Sequence, residues 1–172
     1  MVYSLILRII HIGDGVIWAG VAIFVSFILS PAAARKGPEG PKAMGMLLAE
    51  ARYSTVLSIT GGLTVLSGIL LWLQNTAYFK SIGWAQSPIG IVFTVGAILG
   101  LAALIVGGGI AGPAFKKMGQ VSAEIAQAGG PPAPEKLSLM AQFQKRLSSA
   151  SMIGGILLVL TVIAMATARY IH

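Results

Sequence analysis

Residues 1–31, MVYSLILRIIHIGDGVIWAGVAIFVSFILSP, decide the fold of this chain. Their apolar run is long enough to cross the hydrocarbon core of a bilayer, which needs roughly 20 helical residues. Three further apolar stretches of similar length follow it. The sequence therefore predicts an all-α fold, a bundle of four transmembrane helices with spans at about 5–29, 53–74, 89–112 and 149–171.

The composition supports a membrane protein and excludes several classes of chemistry. The chain is 56% hydrophobic and 10% charged, whereas a soluble domain has roughly 25% charged residues. The first apolar run lacks the cleavage pattern of a signal peptide, so we expect it to be the first span. The absence of cysteine excludes disulfides and thiolate metal sites. The sequence contains no serine–histidine–acid arrangement and no phosphate-binding loop. Residues 1–172 are predicted to form a single integral membrane domain.

The basic residues predict the orientation in the membrane. Of the 12 lysines and arginines, nine lie in or beside the first and third connections. Cytoplasmic loops carry such an excess of positive charge, so we predict a bacterial cytoplasmic membrane with both termini outside. Topology and contact with anionic lipid explain the net charge of +7, and no nucleic-acid partner is expected. The nine residues are Arg35, Lys36, Lys42, Arg52, Lys116, Lys117, Lys136, Lys145 and Arg146.

Both cytoplasmic connections have helical patterns that extend the spans. The helix that contains the second span is predicted to begin at Pro41 and to continue unbroken. The four helices are therefore predicted over about 5–29, 41–74, 89–128 and 134–171. The GGPPAP run at 129–134 forces a turn, so the third and fourth helices are expected to protrude as a cytoplasmic helical hairpin. That hairpin is either a solvated structural element or a docking surface for a partner.

Two pairs of short matches indicate an internal repeat. SPAAARK at the end of the first span matches GPAFKK at the end of the third, 82 residues later. The second and fourth spans both have a glycine nine residues after an arginine, at an offset of 94. We therefore predict two tandem two-helix repeats in the same orientation. In the second repeat Gly96 and Gly100 present a small-residue face, which is predicted to pack against the polar face of the first helix or to leave space for a flat ligand.

The polar face of the first span holds the candidate site. Arg8, His11, Asp14 and Trp18 fall within about a third of the helix circumference. His11 lies roughly 12 Å in from the outer boundary, at 1.5 Å per residue, and Asp14 lies one turn deeper. Ionisable groups at such depth are functional candidates. The imidazole can ligate haem iron or copper or relay protons, with Asp14 orienting it, or the two side chains form a structural pair.

Haem binding would require a second axial ligand or a five-coordinate iron. The other histidine, His172, is expected at the interface, several ångströms above His11. The alternatives are Met165, which lies nearer the outer side than Met152, or a second His11 across a homodimer. Arg8 and Arg169 are expected near the outer boundary, where they either hold haem propionates or extend to lipid head groups.

The first span also carries a pattern that is similar to a known family. Leu7, His11, Trp18, Gly20 and Pro31 follow the form Leu-x-x-x-His, then Trp-x-Gly seven residues later, then a closing proline. This pattern resembles the first helix of the copper resistance protein D-like membrane proteins and their small uncharacterised four-helix relatives. GGLTVLSGILLWL at 61–73 and ATARY at 166–170 also resemble these relatives. The resemblance implies copper uptake or periplasmic copper handling.

The architecture resembles a second family, the four-helix HemJ-type protoporphyrinogen oxidases. That resemblance implies a b-type haem held by a first-helix histidine, here His11. The sequence therefore predicts an integral membrane protein with an intramembrane His/Asp site that binds haem b in a redox role. The alternative is a copper-handling or non-catalytic accessory subunit, in a homodimer or a larger membrane complex. The sequence assigns no enzymatic activity.

Overall fold

The computed structural model describes residues 2–37 and 39–171 of the chain. Within these ranges the protein is helical and contains no strand. Four of the helical segments are long and apolar enough to span a membrane: Val2–Ala34, Tyr53–Asn75, Pro88–Ala128 and Pro134–Tyr170. The predicted four-helix membrane architecture is confirmed to this extent.

Two of the long segments contain a π-helical turn ahead of a proline. Helix α1 (Val2–Phe24) passes through the π turn Val25–Leu29 into α2 (Ser30–Ala34). Pro31 has no N–H to donate to the carbonyl four residues earlier and its ring crowds that carbonyl, so the wider turn accommodates it. The third segment repeats this pattern with a π turn at Val106–Ala111 ahead of Pro113.

The expected continuous helix over 41–74 is two helices in the structure. Helix α3 (Glu39–Glu50) ends before Arg52, whose backbone is left-handed with φ +49°, and α4 (Tyr53–Asn75) begins after it. At its other end α3 packs on α2, where Gly40 approaches the backbone carbonyl of Ala33 so closely that a Cβ would overlap it. Tertiary packing therefore overrides the local helical pattern.

The connection after α4 has three consecutive left-handed residues, Ala77, Tyr78 and Phe79. Each such residue costs roughly 1–2 kcal/mol when it is not glycine. The turn is tied to the helix because the Tyr78 N–H donates to the Leu73 carbonyl at 2.7 Å, and Thr76 is fully buried. A short helix, α5 (Gly83–Gln86), then leads into α6.

The third and fourth long helices form an extended antiparallel pair. Helix α6 (Pro88–Ile105) leads through the π turn into α7 (Gly112–Ala128), and α8 (Pro134–Thr167) returns alongside both. Lys136 bonds Glu124 at 3.0 Å, and Lys117 lies 6.0 Å from the ring centroid of Phe143. The 41-residue third segment is about twice the length needed to cross the hydrocarbon core, so it extends beyond that core.

The four long helices surround a small apolar centre. Helix α1 packs against α4 and α8, and α6 packs against the same two helices, so α4 and α8 lie on a diagonal. The core contains Trp18, Ala19, Ala103 and Leu158. Large apolar side chains cover the outside of the bundle, among them Ile9 and Leu66. Such an exterior is typical of helices surrounded by lipid.

Candidate functional site

The imidazole of His11 is held by the backbone of α4. Its Nδ1 lies 2.8 Å from the carbonyl oxygen of Thr64. A carbonyl oxygen only accepts hydrogen bonds, so Nδ1 donates, and in a neutral imidazole Nε2 then carries the lone pair. Nε2 forms no hydrogen bond within residues 2–37 and 39–171, yet no buried side-chain nitrogen there lacks a partner. Nε2 is therefore not completely enclosed by the described residues.

Gly68 makes room for this imidazole. A Cβ at Gly68 would lie 2.7 Å from Cε1 of His11 and 3.0 Å from Nδ1, which is closer than real Cβ atoms approach. The next contacts along the same seam are Gly15 on Thr64, with 3.4 Å from a Cβ to Cγ2, and Gly61 on Trp18, with 2.9 Å to Cε2. His11 and Trp18 of α1 therefore pack against glycines of α4. In the opposite direction, Thr64 of α4 packs against Gly15 of α1.

This small-residue stripe on α4 is the part of the site that the sequence interpretation missed. Gly61, Thr64 and Gly68 recur at three- and four-residue spacing, which places them on one helix face. Small residues at that spacing are typical of close helix contacts in membranes. The signal was present in the sequence, but no pattern indicated that the first helix, rather than another, would occupy the stripe.

Asp14 does not orient the imidazole in the structure. Its side chain is half-buried, and it forms neither a hydrogen bond nor an ion pair in the part of the chain that is described. The expected i, i+3 pairing with His11 is replaced by the bond to the Thr64 carbonyl, because the imidazole turns toward α4. The carboxylate of Asp14 therefore stays available one helical turn from His11.

The other predicted site residues form no hydrogen bond or ion pair with His11 among the described residues. Trp18 is buried in the core at 6% exposure and contributes packing on Gly61. Arg8 is exposed and forms no ion pair with any described residue. Arg169 is also exposed, and its guanidinium lies 5.8 Å from the ring centroid of Tyr170. His172, the other histidine considered at the sequence level, lies outside the described residues.

The third helix does not form a wall against the polar face, contrary to the expectation for Gly96 and Gly100. A Cβ at Gly96 would lie 3.1 Å from Cε of Met165, and one at Gly100 would lie 3.4 Å from Thr161. Both glycines therefore accept side chains of α8. Met165 packs between α6 and α8, whereas His11 lies between α1 and α4.

The hydroxyl groups of α4 along this seam donate hydrogen bonds within their own helix. Thr60, Thr64 and Ser67 each donate to a backbone carbonyl three or four residues earlier in α4. Among the described residues, no three histidine, cysteine, aspartate or glutamate side chains come together as a metal cage. The chemistry available at this seam is therefore one imidazole nitrogen and one carboxylate.

Comparisons of the chain with protein-family models, with curated proteins and with solved structures found no match. The fold and the site define the class of protein: a bundle with four helices that are long and apolar enough to span a membrane, and with a backbone-bonded histidine between the first two of them.

Proposed function

We propose that this chain is a small haem b-binding protein of a bacterial cytoplasmic membrane, with a redox role and with Nε2 of His11 as the axial ligand. The hydrogen bond from Nδ1 to the Thr64 carbonyl carries this proposal. Metal-ligating histidines almost always donate their second ring N–H in this way. A bound haem would supply one-electron chemistry at iron, which no side chain of this cysteine-free chain supplies.

Three features of the chain adapt His11 to this role. The Thr64 carbonyl fixes the tautomer and the orientation of the ring. Gly68 provides the space that the ring occupies. Asp14 lies one turn away, where its carboxylate in the ionised form would stabilise a positively charged group beside His11 in a medium of low dielectric constant.

The remaining ligands are assigned by elimination. Met165 packs on Gly96 in the other helix pair, so we propose five-coordinate iron or a second His11 from a second copy of the chain. Arg8 and Arg169 are exposed and are suited to binding carboxylates such as haem propionates at the outer surface. Head-group contacts are the other use of these two arginines.

Optical spectra of detergent-purified protein test the proposal. Protein from cells supplied with haem should show a Soret band that shifts when dithionite reduces the iron. His11→Ala should lose this band, and added imidazole should restore it by occupying the vacated ligand position. The matched control is Phe93→Ala, which removes a ring of comparable size from the third helix, where Phe93 stacks on Trp84. A colourless wild-type protein, or a band that survives in His11→Ala, would refute the assignment.

A copper-handling or non-catalytic accessory subunit is the second candidate. The observation that favours it is the close packing of His11 and Trp18 into glycine notches, which gives both residues a structural role without any ligand. In that case the purified protein is colourless, and His11→Ala lowers its melting temperature without any spectral change. Copper titration followed by equilibrium dialysis then separates the copper-handling role from the accessory role.

The topology and the duplication are part of the proposal. Both π turns precede a proline, and Pro31 and Pro113 are separated by the 82 residues of the sequence match, which supports two tandem repeats. The charge distribution supports cytoplasmic first and third connections, with the α7–α8 hairpin on that side. The repeats have since diverged: Gly61 and Gly68 lie on the second helix of the first pair, whereas Gly96 and Gly100 lie on the first helix of the second pair.

A further inference from the structure

A cavity of ≈ 160 Å³ lies at the opposite end of the bundle from His11. It is enclosed by the π turn of the first helix, by α2, α3 and α4, and by α7 and α8. Ser26, in its wall, is separated from His11 by about 22 Å along the first helix, at 1.5 Å per residue. The cavity is therefore a separate site. π turns recur at functional sites in membrane and soluble helices.

The wall of the cavity is mainly apolar and contains six polar side chains but no charged one. Two of its hydroxyls have partners: Ser26 donates to the Ser151 carbonyl at 2.9 Å, and Ser30 donates to the sulfur of Met44 at 3.8 Å. Its other polar side chains form no hydrogen bond within the described ranges, and none of their atoms is a buried orphan. They therefore open toward the cavity. This second group comprises Tyr53, Gln144, Ser148 and Ser151.

The available polar groups lie on two sides of the cavity. Tyr53 belongs to α4, and Gln144 and Ser151 belong to α8, which lie diagonally across the bundle. Apolar side chains such as Leu48 and Phe115 line the space between. A 150 Å³ cavity in another protein holds benzene, so a single six-membered ring fits. The absence of charge in this wall disfavours an ionised ligand, which would lose its hydration without a counter-charge.

We propose that this cavity binds a neutral single-ring molecule with a hydroxyl or carbonyl oxygen at each end. Hydroquinone has this chemistry, and so does the head group of a membrane quinol. Tyr53 bonds the oxygen at one end, and a polar side chain of α8 bonds the oxygen at the other. The inference does not rest on haem binding, because the cavity shares no residue with the His11 seam.

Isothermal titration of the whole chain in lipid nanodiscs tests the site, with hydroquinone kept reduced under argon as the probe. Toluene has the same ring without oxygens, and benzoate has the ring with a charge. We expect hydroquinone to bind at least tenfold more tightly than either compound. Toluene binding as tightly as hydroquinone would show a nonspecific void, and absence of hydroquinone binding would show no site. Either result overturns the proposal.

Substitutions locate the binding within the cavity. Tyr53→Phe removes one hydroxyl and should weaken hydroquinone binding about tenfold, as expected for one lost hydrogen bond to a ligand. Ser151→Leu fills the space and should abolish binding. The matched control is Tyr170→Phe, because Tyr170 is 72% exposed and distant in sequence from the cavity wall. Melting curves identify any variant that fails to fold, and unchanged affinity in a folded Tyr53→Phe protein overturns the proposal.

A quinol with a decyl tail distinguishes the two sources of this chemistry. A membrane quinol must reach the cavity from the bilayer with its tail outside. If the decyl quinol competes with hydroquinone for the site, the cavity serves a bilayer ligand. If the tail prevents competition, while hydroquinone still binds, the cavity serves a free aqueous compound.

Discussion

The imidazole of His11 lies in a notch on α4 that exists because residue 68 is glycine. The same α4 turn supplies the Thr64 carbonyl that accepts the Nδ1 proton at 2.8 Å. Space and orientation for the ring therefore come from one segment of the second helix. A histidine held in this way cannot rotate without losing a hydrogen bond in a medium that offers few replacements.

Gly68→Ala should destabilise the protein and release His11. The new Cβ would lie 2.7 Å from Cε1, so the ring must move and its bond to Thr64 must break. We expect a loss of about 1–3 kcal/mol, typical of overpacking. Gly62→Ala is the matched control, because a Cβ there meets nothing within 4 Å. That variant should be neutral or more stable by up to about 1 kcal/mol, through helix propensity.

A double variant tests whether the effect of Gly68→Ala acts through the imidazole. In a His11→Ala background the added methyl group enters vacated space, so Gly68→Ala should cost less than it does in the wild-type protein. Thermal denaturation in one detergent gives both differences. Equal costs in the two backgrounds would show that the methyl group disturbs some other contact.

Trp18→Ala should be among the most damaging substitutions in the first helix. The indole packs on Gly61 and belongs to the central core, at 6% exposure. We expect a loss of about 3–5 kcal/mol, as for large-to-small changes in other cores. Phe24 lies on the same helix but is 50% exposed, so Phe24→Ala should cost under about 1 kcal/mol. Denaturant titration followed by circular dichroism compares the two, and similar losses would contradict the core assignment.

The sequence was sufficient to predict the long helices but not to predict which helices pack against each other. Apolar length predicts four spans, and the GGPPAP turn predicts the end of α7 near Ala128. The break at Arg52 was not predictable from local pattern, because it accompanies the packing of α3 against α2 and α4. The hydrogen-bond partner of His11 in the structure differs from the expected one for the same reason. Local spacing favoured Asp14, whereas the bond to Thr64 depends on the register between two helices that are distant in sequence.

Thr94→Val should loosen the end of the bundle where α4 and α6 meet. The indole N–H of Trp72 donates to the Thr94 hydroxyl at 3.0 Å and joins α4 to α6. Side-chain hydrogen bonds between membrane helices contribute about 0.6 kcal/mol on average, so we expect a loss of that order. Thr167→Val is the control, because Thr167 is exposed and bonds only to carbonyls of its own helix. Tryptophan emission should shift in the first variant alone, and an unchanged spectrum would argue against the bond.

Single cysteines at Lys36, Lys80 and Lys117 test the orientation in the membrane. The chain has no native cysteine, and all three lysines are exposed in the structure, so each Lys→Cys variant offers one reactive thiol. Nine of 12 basic residues lie in or beside the first and third connections, which predicts that those connections are cytoplasmic. In intact spheroplasts, an impermeant maleimide should therefore label position 80 and leave positions 36 and 117 unlabelled until the membrane is broken. The reverse pattern would move His11 to the cytoplasmic half and the polar cavity to the outer half, and would exchange the compartments from which the two proposed sites receive their ligands.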